Sequence, residues 1–480
     1  MIGHFANKYL SLLLAIIATV ILLLFHVMNQ LPPDVGDGLS HYFVSNAVWT
    51  QPSLFLDHWG KPLFILFSSP FAYFGFFSYI FFNILVFFLT VIIGQNILKT
   101  LNVGFWAQWI YPFVLISVTD YTTNILGGLT EPFFGLLLVL SIWLFLQNRL
   151  LLFALVISLL PFARSEGQFV VVLAVFLLIA MKKWKYLPFL GVGFLLYAII
   201  GAFLLHDFLW YFHNDPYQGA QGIYGHGNWD HYLINWKAHL GQGGLLLLFG
   251  SVIAIIVGLF KKQKIDRTKL LLFLFIAVIY FGIIAVHGYL WATGQKGAYG
   301  LSRLATHGIP AIFLVYFYLT DKLVAKFSVV FRRLLFFAYL GLIVVLIIKL
   351  PFPNYPNDFD AQVIKSTKYI KKHQNEIGRV YYYHPLFAEE FGVNQNLPDA
   401  NSTLFVFGDL DEDLKKLKSG DIIVRDTHFG PMEMGLSQEN INAHSNQLKV
   451  IKIFLSKDKN TNAMDTSIFS KVEIYQFTAN

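Results

Sequence analysis

The residues that could do chemistry begin with a short run after the first apolar segment. Asp34, Asp37, His41 and Tyr42 lie within nine residues, and Lys61 follows in the sequence Asp-His-Trp-Gly-Lys-Pro. A carboxylate can take a proton from a hydroxyl group, and a lysine can bind a phosphate. The run predicts an acid-base site with a cation beside it. The alternative for Asp37 is that it only caps the segment that follows, as acidic residues at helix starts often do.

A second set of ionisable residues occurs at the ends of later apolar segments. It contains Glu131 in Thr-Glu-Pro, Arg164 and Glu166 in Pro-Phe-Ala-Arg-Ser-Glu-Gly, and Arg303 in Gly-Leu-Ser-Arg. Charges near the hydrocarbon of a bilayer are costly and suggest a functional site by default. The alternative is that such residues lie in the wetted interface and anchor helices. We favour function for Asp37, Lys61, Arg164, Glu166 and Arg303, and anchoring for Asp207, Asp215 and Lys237.

The elements that must position these residues are membrane helices. Of the 480 residues, 56% are hydrophobic and 13% are charged, whereas about a quarter are charged in a typical soluble domain. Apolar runs between residues 9 and 350 repeatedly approach the roughly 20 residues that cross a bilayer. The first run, 9–28, lacks a small-residue cleavage site after it, so we expect a retained helix. The absence of cysteine excludes disulfides and thiolate metal sites.

The distribution of charge predicts which side each loop lies on, since short cytoplasmic loops are rich in lysine and arginine. One arrangement puts inside Lys8, Lys99, Arg149, Lys182, Lys183, Lys185, Lys261, Lys262, Lys264, Arg267, Lys269, Lys322, Lys326, Arg332 and Arg333. The acidic residues divide the other way, with most of them outside. The predicted crossings, about 11 in number, are 9–28, 79–98, 104–119, 131–147, 150–163, 167–181, 187–205, 242–260, 270–287, 308–322 and 333–350. The amino terminus then lies in the cytoplasm and the tail outside.

Two parts of the chain do not fit a simple series of crossings. Residues 62–76 are apolar but bounded by Gly and Pro, and we expect an outer juxtamembrane or re-entrant segment there. From residue 351 the composition is that of a soluble domain. We therefore expect a helical polytopic membrane domain over 1–350, with a first outer loop at 29–78, and a small extracytoplasmic α/β domain over 351–480.

The tail has strand-like content at 379–383, 403–407, 421–424 and 449–455, and helix-like content at 360–375 and 409–418. Residues 425–431, which follow the third strand, are either a site loop or an ordinary polar turn. Because the cytoplasmic loops are short and no glycine-rich phosphate loop opens a helix there, a soluble nucleotide donor has no place to bind. Any reaction must use what the outer face or the membrane supplies.

Several of these motifs resemble GT-C superfamily glycosyltransferases, which include protein O-mannosyltransferases and the aminoarabinose transferases of lipid A. Asp37-x-x-x-His41-Tyr42, followed by Asp57-His-Trp-Gly-Lys61-Pro, is similar to their first outer loop. The motifs at Glu131, at Arg164 and Glu166, and at Arg303 resemble patterns of mannosyltransferase-like members. The adjacent Asp-Glu pair of O-mannosyltransferases is absent, because Gly38 follows Asp37, and this disfavours transfer to protein hydroxyls.

The resemblance implies a membrane glycosyltransferase, with mannose as a candidate sugar, that uses a polyprenyl-phosphate donor and inverts the anomeric centre. It implies Asp37 as base, Lys61 and Arg303 as phosphate partners, and Arg164 with Glu166 as pocket electrostatics. Asp34, His41, Tyr42 and Glu131 complete the expected substrate pocket. The expected location is the bacterial inner (cell) membrane, and the partners are the lipid-linked donor, a glycan, lipid or protein acceptor and the bilayer, but no nucleic acid.

Other interpretations remain open from the sequence. A transporter or flippase of lipid-linked or sugar substrates would use the same charges to line a path, although two matching halves with broken helices are not found. A polysaccharide polymerase or ligase would share the lipid-phosphate chemistry. We expect no cofactor. The histidines at 41, 58, 287 and 307 could hold a divalent metal, but no pair has a compact ligand spacing.

Overall fold

The protein is an α-helical polytopic membrane protein with a small sheet in its tail. The fold is that of a computed structural model, which describes residues 2–218, 220–222, 224–260, 266–397, 403–408, 410–460 and 467–478. The predicted cytoplasmic residues Lys261, Lys262 and Lys264 lie outside this part of the chain. The helices before the tail are α1 Ile2–Met28, α2 Asp37–Ala47, α3 Pro62–Ala72, α4 Phe76–Thr100, α5 Phe105–Ile116, α6 Thr119–Leu126, α7 Glu131–Leu146, α8 Leu150–Ala163, α9 Gly167–Ala180, α10 Val192–Leu204, α11 Trp210–His213, α12 His231–Ile234, α13 Trp236–Phe260, α14 Arg267–Thr293, α15 Ile309–Val324 and α16 Val329–Ile348.

Six helical segments among the described residues are long and apolar enough to cross a membrane, judged by length and composition. They are Tyr9–Met28 of α1, α4, Trp184–Leu204 ending in α10, α13, α14 and α16. Each coincides with a predicted crossing. The predicted number of about 11 is not confirmed, because α5, α8 and α9 have only 12, 14 and 14 residues. Helices of that length rise about 18–21 Å, less than the ~30 Å of hydrocarbon.

The segment expected to lie at the outer membrane boundary is a short helix. α3 covers Pro62–Ala72, with proline at its first position and a second proline, Pro70, inside it. Its 11 residues rise about 16 Å, roughly half the hydrocarbon thickness. This length agrees with the prediction that residues 62–76 do not form a full crossing.

A sharp bend separates α6 from α7 and positions one of the candidate site residues. The two helices meet at 108°, and Gly128 between them has φ +75°, with no room for a Cβ beside the Tyr79 ring. Tyr79 OH donates to the Gly128 carbonyl at 2.6 Å. Glu131 therefore starts α7 at a bend that is fixed by packing, and it is buried there.

The tail contains a mixed five-stranded sheet in the order β2-β1-β3-β5-β4. Strands β1 to β3 are parallel, and β5 pairs antiparallel with β3 and β4. The elements are α17 Asp358–Lys372, β1 Val380–Tyr382, α18 Pro385–Phe391, β2 Leu404–Val406, α19 Leu410–Lys416, β3 Ile422–Asp426, α20 Phe429–Glu433, α21 Gln438–Ala443, β4 Leu448–Lys459 and β5 Phe469–Phe477. The four predicted strands and two predicted helices are present. The fifth strand is not predicted, because its polar and charged residues hide the apolar pattern.

The tail packs directly on the first outer loop. Leu39 and Phe43 of α2 are buried in the same hydrophobic cluster as the face of the sheet covered by α17 and α18. Asn394 also donates to the Phe43 carbonyl at 2.8 Å. The tail thus covers the segment that carries the first candidate site residues. The boundary at 350 and 351 stays a prediction.

Candidate active site

The two acids of the first outer loop share one arginine. Arg303 donates through Nη1 to Asp34 Oδ2 at 2.5 Å and through Nη2 to Asp37 Oδ2. Its side chain is 13% exposed. Burial alone would lower the pKa of Arg303, but Asp34 and Asp37 raise it, so it remains a cation. The sequence motifs predict a phosphate partner for Arg303, whereas in the structure its partners are two carboxylates.

Asp34 and Asp37 have different surroundings. Asp34 Oδ1 accepts hydrogen bonds from the backbone N–H groups of Gly36 and Gly38 at 3.1 and 3.0 Å, so Asp34 satisfies donors at the start of α2. Asp37 Oδ2 is held by Arg303, and Oδ1 has no hydrogen-bond partner among the described residues. The Asp37 side chain is 44% exposed. Asp37 is therefore oriented but accessible, and the capping role belongs to Asp34.

A glycine contact brings the first loop against the bend between α6 and α7. A Cβ on Gly38 would lie 2.1 Å from the Gly127 carbonyl oxygen, so only glycine allows this approach. Asn124, at the end of α6, donates to Thr306 Oγ1 at 2.8 Å, just after Arg303. These contacts fix the distance between α2 and the segment that carries Arg303.

A second ionic network surrounds Arg164. Its Nη1 lies 2.9 Å from Glu131 Oε1 and donates to Thr130 Oγ1 at 2.7 Å. Its Nη2 contacts Glu166 Oε1 at 3.0 Å, and His287 Nε2 contacts the same oxygen at 3.1 Å. Burial would raise the pKa of Glu166, but Arg164 and His287 hold it well below its usual range. The network brings two buried carboxylates, Glu131 and Glu166, against one arginine.

Lys61 is buried without a carboxylate partner. It is 4% exposed, and its Nζ donates to the His58 carbonyl at 3.1 Å and to Tyr217 OH at 3.2 Å. No acidic oxygen lies within ion-pair distance of Nζ in the described part of the chain. An ammonium has three donors, so one remains for another partner. This buried outer-loop cation has no acid among these residues in direct contact, although Asp57 lies within electrostatic reach of it.

His41 lies between the two ionic clusters and Lys61. Its ring stacks on Trp59 at 4.3 Å and is buried. Burial, followed by the positive charges of Lys61, Arg303 and Arg164, lowers the pKa of His41 well below 6.5. The imidazole is therefore neutral near pH 7. Lys61, Arg303 and Arg164 are therefore all within electrostatic reach of the His41 ring.

Tyr42 does not contact the ion pairs directly. Its ring packs against Phe76 and Tyr79 at 5.2 and 5.6 Å, where it supports α2 on α4. The expected sugar-pocket role of Tyr42 stays a prediction, and its observed contacts are those of a packing residue.

Comparison with known proteins identifies the fold. No family model matches the sequence, and no curated protein matches it. The solved structure of ArnT from Cupriavidus metallidurans bound to undecaprenyl phosphate is similar over 96% of this chain and 97% of that chain, with TM-score 0.58 and 10% identity. The apo structure of ArnT covers 98% of each chain, with TM-score 0.57 and 10% identity. The chain has the fold of ArnT.

The likeness to ArnT extends over both the helical part and the tail, because almost the whole chain is covered. The tail is therefore part of the shared architecture. The prediction of a GT-C-like membrane protein, made from motifs in residues 1–350, is confirmed at the level of the fold.

The histidines do not form a metal site. Within the described ranges, no group of three or more His, Asp or Glu side chains is arranged to hold a metal. His58 contacts the Asn214 carbonyl at 3.0 Å, and His287 contacts Glu166. His307 packs edge-on against Phe134 and, like His287, lies within electrostatic reach of Glu166.

Several residues of the site could not be found from sequence spacing. Tyr217 contacts Lys61 from 156 positions away, and Ser302 donates to Asp120 at 2.6 Å. Glu433 of the tail accepts a hydrogen bond from Tyr224 OH, and Tyr224 lies within electrostatic reach of Asp37. The one available signal was the tail loop 425–431, which ends just before Glu433.

Proposed function

We propose that the protein is a membrane glycosyltransferase that moves a sugar from a polyprenyl-phosphate donor to a hydroxyl group of an acceptor on the outer face. The observation that carries the proposal is Lys61, which is buried with no carboxylate of the described residues in direct contact. Lys61 and Arg303, the partner of the accessible Asp37, both act electrostatically on the His41 ring. The GT-C fold supports it, since the comparison structure of ArnT holds undecaprenyl phosphate.

Lys61 is the proposed partner of the donor phosphate. A buried ammonium with a free donor binds an anionic oxygen more strongly than an exposed one does, because water competes less. Arg164 and Arg303 already face carboxylates. Phosphate binding at Lys61 therefore adds a missing counter-charge instead of breaking an existing ion pair.

An apolar groove next to Lys61 suits the lipid tail. Aromatic side chains of α10 and α11, including Phe194, Trp210 and Tyr211, line a groove of about 200 Å³. The Tyr211 ring packs at a tilt against the His58 ring, with centroids 4.3 Å apart, and the His58 carbonyl accepts a hydrogen bond from Lys61. An isoprenoid chain in this groove would bring its phosphate to Lys61 while the rest of the chain stays in the bilayer.

Asp37 is the proposed general base. Its Oδ1 takes the proton of the acceptor hydroxyl while that oxygen attacks the anomeric carbon of the donor. The bond from the anomeric carbon to the phosphate oxygen breaks, and its electron pair leaves with the polyprenyl phosphate. Lys61 stabilises the charge that develops on the leaving group. A single displacement of this kind inverts the anomeric centre.

The two arginines position the site in this proposal. Arg303 holds Oδ2 of Asp37 and so directs Oδ1 outward. Arg164 joins Glu131 and Glu166, which fixes the bend before α7 against the start of α9. Mannose is the first sugar to test, because the motifs resemble mannosyltransferase-like members, and the expected location is the inner membrane of a bacterium.

A transporter or flippase is the second candidate, and the bend between α6 and α7 is the observation that favours it. Discontinuous helices form the substrate site in many transporters. One such pair occurs among the described residues, whereas inverted-repeat transporters contain matched pairs. A polymerase or ligase would share the donor chemistry and differ in the acceptor.

The test uses the purified full chain in proteoliposomes with polyprenyl phosphates that carry radiolabelled sugars, mannose among them. A glycosyltransferase transfers label to an added membrane extract and leaves free polyprenyl phosphate. A transporter changes the side on which the intact lipid-linked sugar lies. Movement of intact donor without cleavage of the sugar–phosphate bond would contradict the proposal.

A further inference from the structure

The tail and the outer segment before α12 meet in a cluster of aromatic rings around one carboxylate. Glu433, at the end of α20, accepts a hydrogen bond from Tyr224 OH and another from Tyr383 OH, the latter at 3.3 Å. Tyr299 packs edge-on against Tyr224, with ring centroids 5.1 Å apart. All four side chains are half-buried. The cluster therefore has an apolar surface and remains open to solvent.

This cluster borders Asp37. Phe429 of α20 lies so close to Gly36 that a Cβ on the glycine would be 3.3 Å from its ring. Phe429 also packs against Tyr383, with centroids 5.6 Å apart. Burial and the carboxylate between them raise the pKa of Tyr224 and Tyr383, and the charge of Asp37 adds to the effect. Both phenols are thus protonated donors within electrostatic reach of Asp37.

The chemistry of the cluster suits a sugar better than a phosphate. A carboxylate accepts hydrogen bonds from hydroxyl groups, and each oxygen of Glu433 retains acceptor capacity beyond the tyrosine that it already binds. Aromatic faces can cover the C–H surface of a pyranose ring. Binding pockets for small molecules usually combine such apolar surfaces with a few polar groups, as this cluster does. The negative charge of Glu433 repels a phosphate. The donor headgroup therefore belongs at Lys61 and not here.

We propose that Glu433, Tyr224 and Tyr383 bind the acceptor, and that the acceptor is a carbohydrate whose hydroxyl group reaches Asp37. The inference rests on the proposed glycosyl transfer and adds to it the acceptor class and the residues that select it. The opposing interpretation is that the three residues only hold the tail against the outer segment.

Sugar binding can be measured without turnover. Saturation-transfer NMR of the full chain in nanodiscs, with a panel of methyl hexopyranosides, should detect binding of at least one sugar. Glu433→Gln should raise the Kd of that sugar about tenfold, the effect of weakening a hydrogen bond to a charged group. Tyr224→Phe, which keeps the ring, should weaken binding in the same direction. The matched control Glu439→Gln removes an exposed carboxylate of the same domain and should leave the Kd unchanged.

Donor binding separates failure of this inference from failure of the proposed function. The Kd of polyprenyl phosphate should be the same in Glu433→Gln and in the unmodified protein. If no methyl hexopyranoside binds, or if Glu433→Gln and Glu439→Gln bind it equally well, the acceptor subsite is wrong. Equal loss of sugar and lipid binding in Glu433→Gln would show that Glu433 only holds the tail in place, and this result would also overturn the acceptor subsite. Absence of sugar transfer from polyprenyl phosphate in the unmodified protein would instead overturn the proposed function.

Discussion

Asp37 accepts a hydrogen bond from Nη2 of Arg303, which lies 266 positions later in the chain. The same guanidinium holds Asp34 through Nη1. Because the donors of a guanidinium are fixed in one plane, the direction of the Asp37 carboxylate depends on Arg303. In the proposed reaction Arg303 is thus a positioning residue, and Asp37 is the group that contacts the acceptor.

Arg303→Lys tests this positioning role. Lysine keeps the charge but cannot hold two carboxylates with a rigid fork of donors. We expect kcat to fall about ten- to a hundredfold, the scale for small misplacements of a catalytic group, while the Kd of polyprenyl phosphate is unchanged. A rise in that Kd without a fall in kcat would return Arg303 to the phosphate-binding role predicted from the sequence.

Lys61→Met tests the phosphate site. Methionine approximates the apolar stem and removes the ammonium, so folding should be largely retained. The loss of a hydrogen bond between charged groups, worth about 1.5–3 kcal/mol, predicts a rise of about ten- to a hundredfold in the Kd of polyprenyl phosphate. Lys237→Met removes an exposed cation predicted to lie on the same side and should have no effect. Equal donor binding in both variants would exclude Lys61 from the site.

The pH dependence of stability tests the environment of His58. Burial and the nearby Lys61 lower the pKa of His58 from 6.5 to about 4. The imidazole of His58 is therefore protonated at higher pH in the unfolded chain than in the folded protein. The free energy of unfolding falls as the pH falls from 6.5 to 4. The contribution is at most about 3 kcal/mol, from 1.36 kcal/mol per pH unit.

Thermal unfolding in detergent at pH 7.5, 6.5, 5 and 4 measures this effect. The midpoint of the unmodified protein should fall below pH 6.5, and His58→Gln, which cannot be protonated, should show a smaller fall. If the two proteins lose stability in parallel, His58 is protonated as easily in the folded protein as in the unfolded chain.

The orientation of the protein in the membrane can be measured by labelling single introduced cysteines, because the chain itself has no cysteine. Ser445 in the tail and Lys326 after α15 are both exposed. A membrane-impermeant maleimide added to intact cells should label Ser445→Cys, and Lys326→Cys only after permeabilisation. The reverse pattern would place the Asp37 site in the cytoplasm and remove the argument for a lipid-linked donor.

Much of the fold follows from local sequence signals. Apolar runs predict the six long helices, because burial in lipid requires about 20 apolar residues in sequence. The same reasoning gives about 11 crossings, a number that stays unconfirmed because α5, α8 and α9 are apolar yet short. The strand β5 is not predicted, because polar and charged residues interrupt its apolar ones, and its place in the sheet depends on its neighbours β3 and β4.

The sequence predicts which residues belong to the candidate site, but it does not predict which of them form ion pairs with one another. Charges at the ends of apolar runs identify Asp37, Arg164 and Arg303. Which acid meets which base depends on helix packing, such as the contact of Gly38 with the Gly127 carbonyl. No spacing in the sequence encodes such contacts, and they decide that Arg303 binds carboxylates.

The central claim is that Asp37 is the general base, and Asp37→Asn tests it most directly. Asparagine can still accept a hydrogen bond from Arg303 but cannot take up the proton of the acceptor. The measurement is the rate of sugar transfer from polyprenyl phosphate in proteoliposomes, with donor Kd and unfolding midpoint as controls for folding. Asp207→Asn, a change of the same kind at an acid that pairs with His213, is the matched control. We predict a loss of about a hundredfold or more in the rate for Asp37→Asn with unchanged donor Kd, and near-normal transfer for Asp207→Asn. Near-normal transfer by a well-folded Asp37→Asn variant would contradict the mechanism.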